Sequence, residues 1–471
     1  MEKKRYMLCG GMTLAFFFVQ AVFMGQTLER LSGAGQALAL SALFTLVAGG
    51  ALFMFEHLEH PKLKTLLLTG GVFFVSMLAR VSMLVFVTGD YNFFLSEWVK
   101  LFREGGFAML GENVGDYNLL YQYILLLIAK TPLPDLYLIK YVTVIFDYAL
   151  ALAMMTAAGH FAGEKAKLPV LLLMTILPTV LVDGACWGQC DSVYVFLIVM
   201  SLYWVKTGKP SRSAAMLAVA FAFKLQTIFF FPVVLLALIH GEYKPKHALV
   251  FFAAYLVTMI PALIAGRPFM EALSVYASQS MGQYYDRLTY NAPNLDLFFP
   301  MMDFSNNQEF SWMRYIADID GKASNPFLRD DLLPMMQSAA LYACIILTLI
   351  VVIYWLMHYK EITPDMTLLF ALFFAIFLPF VMPKIHERYF FLADMLAILY
   401  AAMRKDRRFV PLLVVGSSFL SYLPYMTRQR PVDERWLALM MGAALVVVAR
   451  DLLTGMRETR RKLAAEGGNA Q

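Results

Sequence analysis

Apolar runs close to twenty residues long recur from one end of this chain to the other, and a run of about that length crosses the hydrocarbon core of a bilayer as a helix. Fourteen segments answer the description, at about 6–25, 34–56, 64–87, 136–158, 168–185, 190–206, 212–225, 227–240, 246–265, 336–357, 365–383, 388–403, 409–426 and 434–452. Inside a bilayer the backbone must satisfy its own polar groups, and runs with no period-two alternation do so as helices. The expected fold class is therefore all-α: a polytopic membrane protein of about fourteen transmembrane helices. Composition agrees, since 60% of the 471 residues are hydrophobic and only 15% are charged, against about 25% charged in soluble domains. The net charge of +5 does not call for nucleic acid, because most Lys and Arg fall in short loops between apolar runs.

Those loops orient the chain. With the N-terminus inside, Lys62/Lys64, Lys165/Lys167, Lys206/Lys209/Arg212, Lys244/Lys246 and Arg404/Lys405/Arg407/Arg408 all fall on the cytoplasmic side, as the excess of positive charge on inner loops requires. Arg457, Arg460, Arg461 and Lys462 place the C-terminus there too, and only Arg428/Arg430/Arg435 dissents. The first run follows Met1–Arg5 without a clear small-x-small cleavage site, so it reads as a retained helix. Two long loops, 89–135 and 266–335, then fall outside, and 1–471 reads as a single membrane domain. The apolar stretch 117–129 is too short to span and reads as a helix in the interface. Cys9, Cys186, Cys190 and Cys344 read as small buried hydrophobes, since the C-x3-C spacing of Cys186 and Cys190 fits neither a zinc knuckle nor a redox pair.

This topology collects polar residues at helix ends on the outer side: Asp90, Asp116, Asp147, Gln189, Asp191, Lys224, Gln226, His386, Glu387 and Arg388. Polar groups beside hydrocarbon are costly, so such a set marks a functional site. Asp90 opens the first outer loop in Gly89-Asp90-Tyr91-Asn92, where a carboxylate serves either as a general base on a hydroxyl or as the N-cap of an amphipathic helix over 92–103. Asp116, in the repeated tetrapeptide Gly115-Asp116-Tyr117-Asn118, is a rival base or another cap. In Trp187-Gly188-Gln189-Cys190-Asp191, the amide and carboxylate suit paired sugar hydroxyls and the indole face suits a sugar ring. A tight turn with Asp191 as cap explains the same residues. Lys224, with Gln226 beside it, either meets a phosphate or snorkels to the interface. Arg388 and His386 in His386-Glu387-Arg388-Tyr389 suit phosphate, with an interfacial Glu387–Arg388 ion pair as the plainer account. Asp318-Ile319-Asp320 resembles a metal-holding DxD, but a turn explains it as well, and no metal or cofactor is expected.

The blocks Gly89-Asp90-Tyr91, Asp116-Tyr117-Asn118, Phe146-Asp147, Trp187-Gly188-Gln189-Cys190-Asp191, Lys224-Leu225-Gln226 and His386-Glu387-Arg388-Tyr389-Phe390 together resemble the GT-C membrane glycosyltransferases over residues 64–403. Among these the chain is most similar to the bacterial relatives of the second mannosyltransferase of GPI-anchor assembly. The resemblance implies a polyprenyl-phosphate-linked sugar donor, mannose favoured, used on the outer face of a bacterial plasma membrane with both termini cytoplasmic. It implies inversion with Asp90 as base. Donor phosphate falls to Lys224, Gln226, His386, Arg388 and Tyr389. Sugar or acceptor contacts fall to Asp116, Tyr117, Asn118, Gln189, Asp191, Asn291 and Asn294. The acceptor is a glycan, lipid or protein. A lipid-linked glycan flippase or secondary transporter is the competing expectation. Against it stand the missing internal repeat and polar residues gathered at the outer ends rather than at the midplane.

Overall fold

A computed structural model describes residues 2–28, 30–115, 117–276, 288–298 and 332–468. They are almost wholly helical, with one two-stranded sheet, so the chain is an all-α polytopic membrane protein. Among the described residues eight helices are long and apolar enough to cross a membrane, or nine if one bent pair is counted as a single span. The other apolar segments form shorter helices, among them Pro210–Phe223, Leu225–Ile239 and Pro245–Val257. The chain falls into two compact units, Met1–Thr227 with Lys244–Gln279, and Ile228–Tyr243 with Ser280–Gln471.

In the first unit the helices Glu2–Thr27, Ala34–Glu59, Leu63–Met83 and Asp135–Ala162 are full spans. Ala34–Glu59 stops because His60 takes a left-handed conformation (φ 43°), its N–H returning to the Glu56 carbonyl; Pro61 cannot continue a helix. Gly49 and Gly70 let the first three helices approach closely: a Cβ on Gly49 would stand 2.5 Å from the Thr13 side chain. The pair Glu164–Ile176 and Pro178–Trp187 bends by 43° at Leu177, where Pro178 drives the residue before it into extended backbone (ψ 126°). Outward faces are apolar, with Phe18 61%, Val75 67% and Leu249 71% exposed, which suits lipid and not water.

This unit also holds its charges inside. Asp147 lies mid-way along Asp135–Ala162 rather than at an outer helix end. Its Oδ2 accepts from Arg80 Nε at 3.1 Å and its Oδ1 from Ser192 Oγ at 2.6 Å, all three fully buried. Arg80 Nη1 also donates to the Thr175 carbonyl at 2.9 Å. The short helix Leu119–Ala129 buries Leu119, Tyr121, Gln122, Leu125 and Ile128 and leaves Leu127 69% exposed.

The second unit contains Phe231–Ile239, Leu332–Met357, Thr367–Val381, Phe391–Met403, Phe409–Thr427 and Glu434–Gly468. Its sheet joins Thr289–Tyr290, in parallel, to Ile385–His386. Thr367–Val381 is apolar all round and buried among its neighbours, whereas Leu332–Met357 exposes Ile350 and Ile353 by more than half. Glu434–Gly468 has 35 residues and so is about 52 Å long, beyond the ~30 Å that hydrocarbon demands. Its basic C-terminal part meets a polar partner, with Arg460 donating twice to the Glu361 carboxylate at 2.7 and 2.9 Å.

Candidate active site

Asp90 stands just beyond the helix Leu63–Met83, on a connection gripped by a buried ammonium. Lys140 Nζ donates to the carbonyls of Met83, Leu84 and Phe86 at 3.4, 3.0 and 2.7 Å. Carbonyls at a helix C-terminus have no partner within the helix and carry partial negative charge, so a cation there both satisfies and fixes them. The backbone at Asp90 is helical and its side chain makes no cap bond to the segment that follows, Tyr91–Leu95, which is π-helical. The capping account of Asp90 therefore does not hold.

Its carboxylate is held from elsewhere. Oδ2 accepts from Trp187 Nε1 at 3.0 Å and from Gln189 Nε2 at 2.7 Å. Both donors come from one reversal of the chain. A second π-helical segment, Val182–Trp187, ends at Gly188, whose φ of +80° lies in the left-handed region, and the helix Asp191–Lys206 starts three residues later. Glycine takes that conformation without the Cβ clash other residues suffer. Trp187 is almost fully buried, so it does not offer its face to a sugar ring as the sequence suggested; its N–H serves the carboxylate instead. Asp90 itself is half-buried.

Tyr117 extends the network, its hydroxyl donating to Gln189 Oε1 at 2.9 Å. Its ring meets Trp98 edge-on at 5.8 Å and Tyr121 at 4.6 Å. The Tyr117 carbonyl accepts from Gln122 Nε2 at 2.9 Å, and Arg267 donates to both Gln122 Oε1 and Asn113 Oδ1. Asn118 caps Leu119–Ala129 by accepting from the Leu119 N–H at 2.7 Å. Asp116 lies outside the described residues, as do Asp318 and Asp320.

Asp191 and Lys224 form a buried ion pair at 2.7 Å. Lys224 sits in extended backbone between the helix Pro210–Phe223 and the turn Leu225–Phe230, and its Nζ is 5.9 Å from the Tyr194 ring centre. Gln226, two residues on, is buried, and among the described residues its Oε1 has no hydrogen-bond partner.

In the second unit the parallel pair sets His386 against Tyr290, their rings stacked at 4.7 Å. Tyr389 approaches His386 at 5.8 Å and Phe229 at 6.4 Å. Asn291, at φ +54°, bridges to His386, and Arg388 follows, half-buried, in the turn Glu387–Phe390. Asn294 is fully buried; its Nδ2 donates to the Met382 carbonyl and to Asp296 Oδ2, both at 3.1 Å. It thus ties the second long loop to Met382, the residue that closes the helix Thr367–Val381 shortly before the strand that carries His386.

Burial pushes Asp296 up to about 7, with the Asn294 bond opposing in part. The folded chain therefore binds this proton more tightly than the unfolded chain, which releases it near pH ~4. The stability linked to Asp296 is complete below about pH 4, is lost as pH rises to about 7, and is level above that. In thermal unfolding between pH 4 and 8, the Asp296→Asn protein should lack this decline. Parallel pH curves for the two proteins would contradict it.

Sequence reasoning missed the roles of Arg80 and Lys140, although each is a lone cation within or beside an apolar run. It also missed that Asp191 pairs with Lys224. The family model described as glycosyltransferase family 87 matches residues 117–383, more than half of the chain. The match takes in Tyr117, Gln189, Asp191 and Lys224, starts well after Asp90, and ends just before the His386–Arg388 turn. No curated protein matches the chain.

Proposed function

The chain belongs to glycosyltransferase family 87, a GT-C-type membrane family, and from that premise we propose that it moves a sugar from a polyprenyl-phosphate donor to an acceptor hydroxyl, with inversion. The protein is a glycosyltransferase and an integral membrane protein, so it takes a sugar donor and an acceptor. Membership of this family weighs against the flippase and transporter alternatives. The finer reading has mannose as the favoured sugar and the outer face of a bacterial plasma membrane as the place of reaction, with both termini cytoplasmic. The acceptor is a glycan, lipid or protein.

Asp90 acts as the general base. Its carboxylate takes the proton of the acceptor hydroxyl, and that oxygen forms a bond to the anomeric carbon. The bond from that carbon to the phosphate oxygen breaks on the opposite side, and polyprenyl phosphate leaves with the electron pair. Lys224, Gln226, His386, Arg388 and Tyr389 take the donor's phosphate group, where positive charge and N–H donors match the charge growing on the leaving group. The observation that carries this reading is the Asp90 carboxylate: half-buried, capping no helix, and anchored through one oxygen by Trp187 and Gln189. A base must be fixed in orientation yet within reach of its substrate.

The test is sugar transfer by the purified protein in proteoliposomes. Polyprenyl-phosphate mannose, polyprenyl-phosphate glucose and nucleotide sugars are offered as donors, and lipid extract with simple glycosides as acceptors. Transfer from a lipid-linked donor alone is expected, and transfer from a nucleotide sugar instead would overturn the donor class. Arg388→Ala should raise the KM for the donor by about tenfold, the worth of one charge-assisted contact. An unchanged donor KM would remove Arg388 from the phosphate site.

A further inference from the structure

Gln189 and Tyr117 read in the sequence as sugar contacts, but their geometry gives them another role. We infer that Gln189 is a positioning residue for Asp90 and that Tyr117 fixes the sense of its amide. The inference rests on Asp90 being the base. An ionised carboxylate accepts hydrogen bonds and cannot donate them. The Gln189 amide must therefore turn its N–H2 toward Asp90, where it lies 2.7 Å from Oδ2. That leaves Oε1 on the far side, and the Tyr117 hydroxyl donates to it at 2.9 Å.

The need for Tyr117 arises during turnover. Once Asp90 has taken the acceptor's proton it is neutral and can itself donate, so the carboxyl no longer dictates which way the amide faces. A flipped amide would present Oε1 to Asp90 and would repel the carboxylate when the proton departs. The Tyr117 bond to Oε1 keeps the amide in one sense through both states. Tyr117 is in turn fixed by its ring contacts with Trp98 and Tyr121 and by the Gln122 bond to its carbonyl. The Trp187 N–H reaches the same oxygen as Gln189, so the two donors together set the carboxylate's rotation about its own bond.

The arrangement predicts coupling. Gln189→Leu and Tyr117→Phe should each lower kcat, by about tenfold or more for the charge-assisted bond, with the KM of donor and acceptor unchanged. In the Gln189→Leu background Tyr117→Phe should do nothing further. Direct sugar contacts would instead raise KM and combine multiplicatively.

A readout without substrate keeps this separate from the reaction assigned above. The full chain is labelled with 5-fluorotryptophan at its six Trp positions, and the Trp187 resonance is assigned by Trp187→Phe. Asp90→Asn should move that resonance, because the indole N–H loses its charged acceptor. Gln189→Leu and Tyr117→Phe should each displace or broaden it, and the double variant should match Gln189→Leu alone. A Trp187 resonance untouched by either single variant, or displaced by the sum of both in the double, would overturn the inference. Should Gln189→Leu fail to fold, Tyr117→Phe, which removes one oxygen, decides alone. Coupled shifts in a protein whose Asp90→Asn form retains turnover would leave the positioning intact and sink the base.

Discussion

Asp90→Asn should lower turnover by at least a factor of about 10²–10⁴, the range a general base supplies, and leave the fold intact. The substitution is isosteric, and an amide oxygen can still accept from Trp187 and Gln189, which hold Oδ2 at 3.0 and 2.7 Å. The negative charge goes, and with it the ability to take a proton. Initial rates with the best lipid-linked donor measure the loss, and an unchanged thermal unfolding midpoint shows that folding is spared. Asp116→Asn is the companion. Loss of transfer in that variant, with full transfer in Asp90→Asn, would move the base to the neighbouring tetrapeptide.

The largest effect on stability should come from Arg80→Ala. Arg80 and Asp147 are fully buried and joined at 3.1 Å. Removing one partner strands the other charge where water cannot reach it, at a cost of about 3–5 kcal/mol. Replacing both residues by apolar ones of similar size, as in Arg80→Met with Asp147→Leu, should recover much of the loss, because the desolvation penalty goes with the charges. All four cysteines are free and buried, so a thiol-reactive fluorophore reports unfolding directly. The single variant should melt many degrees lower and the double between the two. A double variant no better than the single would mean that Arg80 acts through packing rather than charge.

Much of this architecture was legible in the hydropathy, because a span must be apolar over nearly its whole length. That Leu119–Ala129 is a helix too short to span was legible as well, from the length of its apolar run. The division of fourteen apolar segments into eight long helices and several shorter ones was not. It turns on where each helix starts and stops: Pro178 opens a new helix inside the apolar run 168–185, and the helix from Pro210 ends already at Phe223, details that window hydropathy does not resolve. Asp90, Gln189 and Lys224 stood out as polar groups among apolar ones. Their partners did not, since pairing depends on which distant segments meet. Asp191 and Lys224 are 33 residues apart and Asp90 and Gln189 are 99 apart. Taken alone, Gly89-Asp90-Tyr91-Asn92 reads more readily as a cap, and only the donors arriving from Trp187 and Gln189 decide otherwise. The parallel pairing that stacks Tyr290 on His386 joins two-residue strands 96 positions apart, too short to leave a period in the sequence.

The two π-helical segments, Tyr91–Leu95 and Val182–Trp187, adjoin the same carboxylate, one starting directly after Asp90 and the other ending at the indole that holds it. A π turn is an α-turn with one residue too many, so each segment stores a surplus in chain length. Taking one residue out of Val182–Trp187 would let the turn relax to an ordinary helix and swing everything after it by roughly 100° about the axis, the rotation of one α-helical residue. Trp187 and Gln189 would then point away from Asp90, with every side chain of the site still present. The spacing through these two stretches is therefore a specification in its own right: substitutions there act one side chain at a time, whereas a single deletion undoes the site as a whole.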